Sequence, residues 1–210
     1  MNKRRLFIFI LGAIAGMLFL AFICLAILVN KNYLFKIDSQ TIRVVNNIRS
    51  IGLNYFVKVF TYLGSVIILV PVAIILFFVI KGKREKIFVI STFTLAAALS
   101  TAMKYLVARN RPDGIAIIEE IGYSFPSAHT VLSLVVYGMV IYMMLKFMKN
   151  KPLKIILSII LAILVIAVAL SRVYLGVHFM SDIFGGWILG FFVLVLCITC
   201  YEFAFKREKP

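Results

Sequence analysis

Carboxylates and histidines are what this chain has least of. Its 210 residues include 8 Asp and Glu against 23 Lys and Arg, and only 2 His. That scarcity leaves no acidic cluster suited to Mg²⁺, no helical HExxH zinc motif and no P-loop. The three cysteines, Cys24, Cys197 and Cys200, all lie in apolar runs, where Cys behaves as a small hydrophobe. The "CITC" spacing lacks the surroundings of a redox unit. Charged residues make up 15% of the chain, below the usual share for soluble domains. With 63% hydrophobic residues and a mean hydropathy of +1.08, the chain cannot cover its own apolar surface with polar groups. A bilayer is its natural solvent.

What is present is a series of long apolar runs. A bilayer-crossing helix needs about 20 predominantly apolar residues. Six segments qualify: Leu6–Val29, Val59–Ile80, Ile87–Val107, Val131–Phe147, Leu153–Leu170 and Ile183–Phe205. The first follows "MNKRR" but is too long for a signal core and shows no small-residue cleavage site, so it is expected to stay as a membrane helix. The fold class expected is all-α: a polytopic membrane protein with six transmembrane helices. No repeat, low-complexity tract or long linker interrupts it, so residues 1–210 are expected to form one membrane domain.

The net charge of +15 would suggest nucleic acid as a partner in a soluble protein. Here the basic residues cluster between apolar runs, where they set membrane orientation and meet anionic lipid. Membrane lipids are therefore expected as neighbours, with no nucleic acid. Six spans put both termini on one side. That side carries 14 Lys and Arg, including Lys206, Arg207 and Lys209, against 9 on the other. The positive-inside rule places both termini in the cytoplasm and the first, third and fifth connectors outside. The first connector, 30–58, has Ile42, Val45, Ile48 and Gly52 at near-helical spacing. It reads equally as an interfacial helix or a loose loop. Pro71 is expected to kink the second span.

Charge gathers in three of the outward stretches. In "KYLVARNRP", Lys104 and Arg111 are seven residues apart, which on a helix places them on one face as an anion clamp. Pro112 marks the helix end. In "PSAH", Ser127 offers a hydroxyl and Ala128 an N–H where the fourth helix begins, a place that suits phosphate. His129 follows. In "SRVYLGVHFMSD", Arg172 closes the fifth helix, and Asp182 lies four residues beyond His178, one turn away if the segment is helical. A carboxylate beside an imidazole sets its tautomer and makes its other nitrogen more nucleophilic. Cations for a polyanion, a histidine with its orienting acid and a second histidine together suit phosphoryl transfer without a metal.

These three motifs resemble those of the type 2 phosphatidic acid phosphatase (PAP2) superfamily: Lys-x6-Arg-Pro, Pro-Ser-Gly-His and Ser-Arg-x5-His-x3-Asp. Here they read Lys104…Arg111-Pro112, Pro126-Ser127-Ala128-His129 and Ser171-Arg172…His178…Asp182. Ala128 is the one departure, standing where the family usually has Gly. The resemblance implies double displacement. His178 attacks phosphorus and forms a phosphohistidine, Asp182 orients it, and His129 protonates the leaving oxygen and then activates water. Lys104, Arg111 and Arg172 would bind the phosphate oxygens, with Ser127 and the Ala128 N–H completing the cradle. No metal or other cofactor is implied.

An active site at the outer membrane surface suits a lipid phosphate substrate whose tail stays in the bilayer. The family's range includes undecaprenyl diphosphate, phosphatidylglycerol phosphate, phosphatidic acid and diacylglycerol pyrophosphate. Asp113, Glu119 and Glu120 are expected to repel bulkier anions. Two alternatives stay open: a phosphotransferase using the same residues, and a non-catalytic lipid-binding membrane protein. The sequence assigns no oligomeric state.

Overall fold

A computed structural model describes residues 3–204. Phe205, at the expected end of the sixth span, and the counted charges Lys206, Arg207 and Lys209 lie outside the described residues. Among those described, the structure is helical with no strand: α1 (Lys3–Asn30), α2 (Phe35–Ile48), α3 (Ile51–Thr61), a 3₁₀ turn (Tyr62–Gly64), α4 (Val66–Val79), α5 (Lys83–Val107), α6 (Ala128–Phe147), α7 (Lys151–Tyr174) and α8 (Met180–Ala204). Six stretches are long and apolar enough to cross a membrane, with α3 and α4 forming one of them.

The second span is broken near its start, between α3 and α4, and Pro71 sits inside α4. The break is possible because its carbonyls find partners. Ser65 donates to Tyr62 O at 2.8 Å and the Tyr137 hydroxyl to Leu63 O at 2.7 Å. The first connector resolves as a helix, α2, followed from Ile51 by the start of α3, so the second span begins earlier than expected. The connector's expected apolar face is only partly used: Val45 is buried and Ile42 half-buried, while Ile48 is exposed and Gly52 belongs to α3. The residue of α2 most deeply buried is instead Asp38, at 1% exposure. Phe35, Ile37, Val44 and Ile48 are left exposed, as suits a helix lying at a lipid surface.

α6 is the central helix. In its span 56% of residues are buried, against 11% for α1, and it packs on α4, α5, α7 and α8. α8 can approach the start of α6 closely because Gly185 and Gly186 lie there. A Cβ on Gly185 would stand 2.4 Å from the Phe125 ring, and one on Gly186 2.7 Å from Thr130. Side-chain caps fix the helix starts: Ser50 for α3, Ser127 for α6 and Asn150 for α7, where Pro152 follows inside the first turn. Antiparallel succession then brings the end of α5, the start of α6, the end of α7 and the start of α8 to one end of the bundle. All three charged motifs sit there.

Candidate active site

At that end the chain leaves α5 through Ala108, which has φ 47° and ψ 39°. This left-handed turn is uncommon for a residue with a Cβ, and it ends the helix. Arg111 is therefore not on the helical face of Lys104, contrary to the two-turn expectation. The loop carries it back instead to the same place. Lys104 Nζ donates to Tyr123 O at 2.6 Å. Arg111 donates through Nε to Gly122 O at 2.9 Å, through Nη1 to Val177 O at 2.8 Å, and through Nη2 to Ile121 O at 3.3 Å.

Arg172 is within α7, which runs one turn beyond the expected end at Leu170. Its side chain is 1% exposed. Nη1 donates to the Thr61 hydroxyl at 3.0 Å, and Ser171 donates to the same oxygen at 3.0 Å. Nη2 pairs with Glu120, which also lies 3.7 Å from Arg111. Arg172 Nε is a buried donor with no acceptor. Glu120 thus holds the anion position between two guanidiniums, and one donor of the clamp stays unused. Of the three carboxylates expected to screen anions, Asp113 and Glu119 are exposed and only Glu120 enters the site.

His178 faces this clamp. Arg111 Nη1 lies 3.3 Å from its Nε2, and Asp182 Oδ2 lies 3.3 Å from its Nδ1. Arginine only donates and carboxylate only accepts, so the tautomer is fixed: Nδ1 carries the proton and Nε2 presents a lone pair. Burial, with Arg111 and Arg172 adding to it, pushes the imidazole down to about 4 against the opposing pull of Asp182. The ring is neutral at pH 7. For Arg111 the same burial lowers the guanidinium from its ordinary value, with Glu120 and Asp182 opposing.

The closeness of His178 and Asp182 does not come from a helical turn. His178 precedes α8, in the bend after Leu175 and Gly176. Gly176 has φ +75°, and a Cβ there would meet Ile115 O at 2.4 Å. Asp182 sits in the first turn of α8 and reaches back to accept from Phe179 N at 2.9 Å, as the acid of a capping box does. The same oxygen then meets His178.

Ser127 is fully buried and caps α6, its hydroxyl accepting from Thr130 Oγ1 at 3.0 Å, and its N–H donates to Asp182 O at 3.2 Å. Ala128 opens the helix without positive φ, so replacing the usual glycine carries no backbone strain. His129, half-buried in the first turn of α6, is within electrostatic reach of His178, Lys104, Arg111 and Arg172. The structure therefore brings together all eight residues singled out by sequence.

Three further residues went unnoticed in the sequence. Thr61 supplies the hydroxyl under Arg172. Arg109 donates to Asp182 Oδ1 at 2.6 Å and to Asp38 Oδ2 at 2.6 Å. Asp38 in turn accepts from Ser181 N at 3.0 Å and Ser181 Oγ at 2.7 Å. The only hint of Arg109 was a third basic residue inside "KYLVARNRP". For Asp38 and Thr61 the sequence offered no signal.

Residues 85–206 match the family model described as the PAP2 superfamily. The chain is 31% identical over 196 residues to phosphatidylglycerophosphatase B of Bacillus subtilis (strain 168), covering 91% of this chain and 96% of that protein. It is 28% identical over 165 residues to undecaprenyl-diphosphatase of Sulfolobus acidocaldarius, covering 76% of each. The crystal structure of the first transmembrane PAP2 type phosphatidylglycerolphosphate phosphatase from Bacillus subtilis is similar with a TM-score of 0.84. At 29% identity it covers 93% of this chain and 98% of that one.

Proposed function

The chain belongs to the PAP2 superfamily, and from that premise we propose a lipid phosphatase that works through a phosphohistidine on His178. It is a multi-pass membrane protein and a hydrolase of lipid phosphates. The observation that carries the mechanism is the orientation of His178, with Nδ1–H on Asp182 and the Nε2 lone pair turned to the Arg111–Arg172 clamp.

The substrate phosphate displaces Glu120 and takes the two guanidiniums, the unused Arg172 Nε among their donors. Lys104 adds a third cation, and Ser127, which accepts from Thr130, has its own proton to give. His178 Nε2 attacks phosphorus as the bond to the leaving oxygen breaks, and His129, which takes up a proton once the bound phosphate offsets the three cations around it, gives that oxygen its proton. The P–N bond makes the imidazole cationic, and the Asp182 carboxylate stabilises it. His129, now neutral, takes a proton from the water that attacks phosphorus. The P–N bond then breaks, phosphate leaves, and both histidines return to their starting states. The three cations stabilise charge on the equatorial oxygens in both steps.

Phosphatidylglycerol phosphate is the proposed preferred lipid, with undecaprenyl diphosphate second. The relative aligned over nearly all of both chains carries the first activity in its name. Tyr105, Leu106 and Ile121 are exposed apolar side chains at the site end, suited to the tail of an amphiphile. The excess of Lys and Arg at the other end supports an outward-facing site with both termini in the cytoplasm.

The test is phosphate release by detergent-purified protein, with EDTA present, across lipid mono- and diphosphates, beside His178→Ala. Release that the substitution abolishes, ranked highest on phosphatidylglycerol phosphate, is the expected result. Equal inertness of both proteins on every lipid would refute the reading.

A further inference from the structure

Asp182 offers one oxygen to His178 and the other to Arg109. Its Oδ2 meets His178 Nδ1 and Phe179 N, and its Oδ1 accepts from Arg109 Nη1 at 2.6 Å. The same Arg109 nitrogen donates to Ser181 Oγ at 2.7 Å, while Nη2 donates to Asp38 Oδ2 at 2.6 Å. The Phe179 ring lies against the guanidinium, 4.1 Å from Cζ to the ring centroid. The Arg109 carbonyl accepts from Ser124 N at 2.8 Å, which ties the loop to the segment that leads into Ser127 and His129. Arg109 is therefore held from several directions, and every oxygen of Asp182 has a donor.

The partners that hold it come from different elements. Asp38 is on α2, Asp182 and Ser181 are on α8, and Arg109 is on the loop between α5 and α6. Asp38 and Asp182 are almost wholly buried, with side chains 2% and 0% exposed. Two buried carboxylates this close would repel each other without a cation between them. Lysine presents a point charge, whereas the guanidinium fork directs separate N–H groups at fixed angles. Arg109 thus orients the carboxylate plane as well as balancing charge. A carboxylate free to rotate would present Oδ2 to Nδ1 only part of the time.

We propose that Arg109 is a positioning residue for His178, acting through Asp182, with Asp38 of the surface helix α2 as its second anchor. The proposal rests on the reading of His178 as the nucleophile. Arg109 does not touch the clamp: its partners are Asp38, Ser181, Asp182 and Phe179, not Glu120, which holds the anion position. Its loss therefore acts on the rate of P–N bond formation and not on phosphate binding. It also makes α2 part of the catalytic unit, since the helix delivers the one buried acid that holds Arg109 from the far side.

The experiment compares wild type, Arg109→Lys, Asp38→Asn and His178→Ala on the lipid that wild type turns over fastest, using ³²P-labelled substrate. The folded fraction of each protein, from size-exclusion chromatography and the amplitude of its thermal melt, sets the site concentration, so kcat is expressed per folded site, while alkali-stable, acid-labile protein label reports the phosphohistidine itself. Arg109→Lys is expected to lower kcat per site by about 10- to 100-fold, the range shown by outer partners of metal-ligating histidines, which orient the ring in the same way. KM should stay within about threefold, because binding and rate separate when a residue acts only on the reacting geometry. Asp38→Asn, which keeps shape and an acceptor oxygen, should lower kcat by about 3- to 10-fold as the weaker, indirect change. A thermal midpoint that falls while kcat per site stays within twofold in both variants would make Arg109 a structural staple and overturn the proposal. A KM that rises with kcat unchanged would overturn it as well. Should Arg109→Lys fail to fold, Asp38→Asn decides alone by the same criteria. Failure of the underlying reading looks different: wild type and His178→Ala would then match in turnover and carry no label.

Discussion

At the end of the bundle away from the site, Lys146 of α6 pairs with Glu202 of α8, and the Tyr142 hydroxyl donates to the same carboxylate at 2.7 Å. Tyr201 donates to Glu85 beside them, and the Lys146 ammonium lies 4.2 Å from the Tyr201 ring centroid. At the site end, Lys104 and Arg111 donate chiefly to main-chain carbonyls. A carbonyl holds a cation in place without neutralising it. Both ends are partly buried and both are hydrogen-bonded, yet only one keeps its positive charge available. Charge matched by carboxylate stabilises a helix bundle's packing, whereas charge held by backbone waits for an anionic ligand.

The sharpest way to break this contrast is Asp182→Asn. It removes the one carboxylate that serves His178, and kcat should fall by about 10³-fold or more, as when the acid of a histidine–acid pair is neutralised. Steady-state phosphate release measures it. Next is pH. The nucleophile is the neutral imidazole, and its folded value near 4 lies below the ordinary 6.5. The acid limb of kcat/KM governed by His178 should therefore fall near pH 4, not near 6.5. Between those values the unfolded chain binds a proton that the folded chain does not, so the His178 contribution to stability rises with pH across that window. Rate profiles and thermal melts from pH 4 to 7 check both statements.

Glu120→Gln probes the carboxylate that breaks the pattern at the site end. Without its charge the clamp should take vanadate or inorganic phosphate about five- to tenfold more tightly, equivalent to about 1 kcal/mol. A weaker inhibition constant would mean that Glu120 assists the clamp instead of competing for it. At the opposite end, Glu202→Ala should cost about 1–3 kcal/mol of stability, the usual penalty for a partly buried cation that loses its acceptor. It should leave kcat within twofold, which a melting curve and a turnover assay together decide. The smallest effect is expected from Ala108→Gly, which should relieve about 0.5–1 kcal/mol at the left-handed position, after the glycine's own entropy is set against the relief.

The membrane spans were legible because hydropathy over some twenty residues depends on composition alone, and the motif residues because their spacing is fixed. How those residues meet was not legible. Lys104 and Arg111 looked like neighbours on a helix, and they meet because the helix ends at Ala108 and the loop turns inward. His178 and Asp182 looked one turn apart, and they meet through a helix cap. Local periodicity cannot register a break of this kind. Arg109, Asp38 and Thr61 escaped for another reason. Their side-chain hydrogen-bond partners lie 71 to 143 residues away in the chain, and such pairings arise only from packing between helices. α2 was half legible: its periodicity suggested a helix, while its buried face is organised around an acid.

Arg111, fastened to Val177, Gly122 and Ile121, also bears on the entropy of turnover. A long side chain immobilised at the moment of binding forfeits about 0.5–1.5 kcal/mol of rotamer freedom. Here that freedom is surrendered once, when the chain folds, and is not surrendered again with each phosphate. Departure of the product likewise returns little disorder to the side chain, so the receptor that meets the second lipid has the shape that met the first.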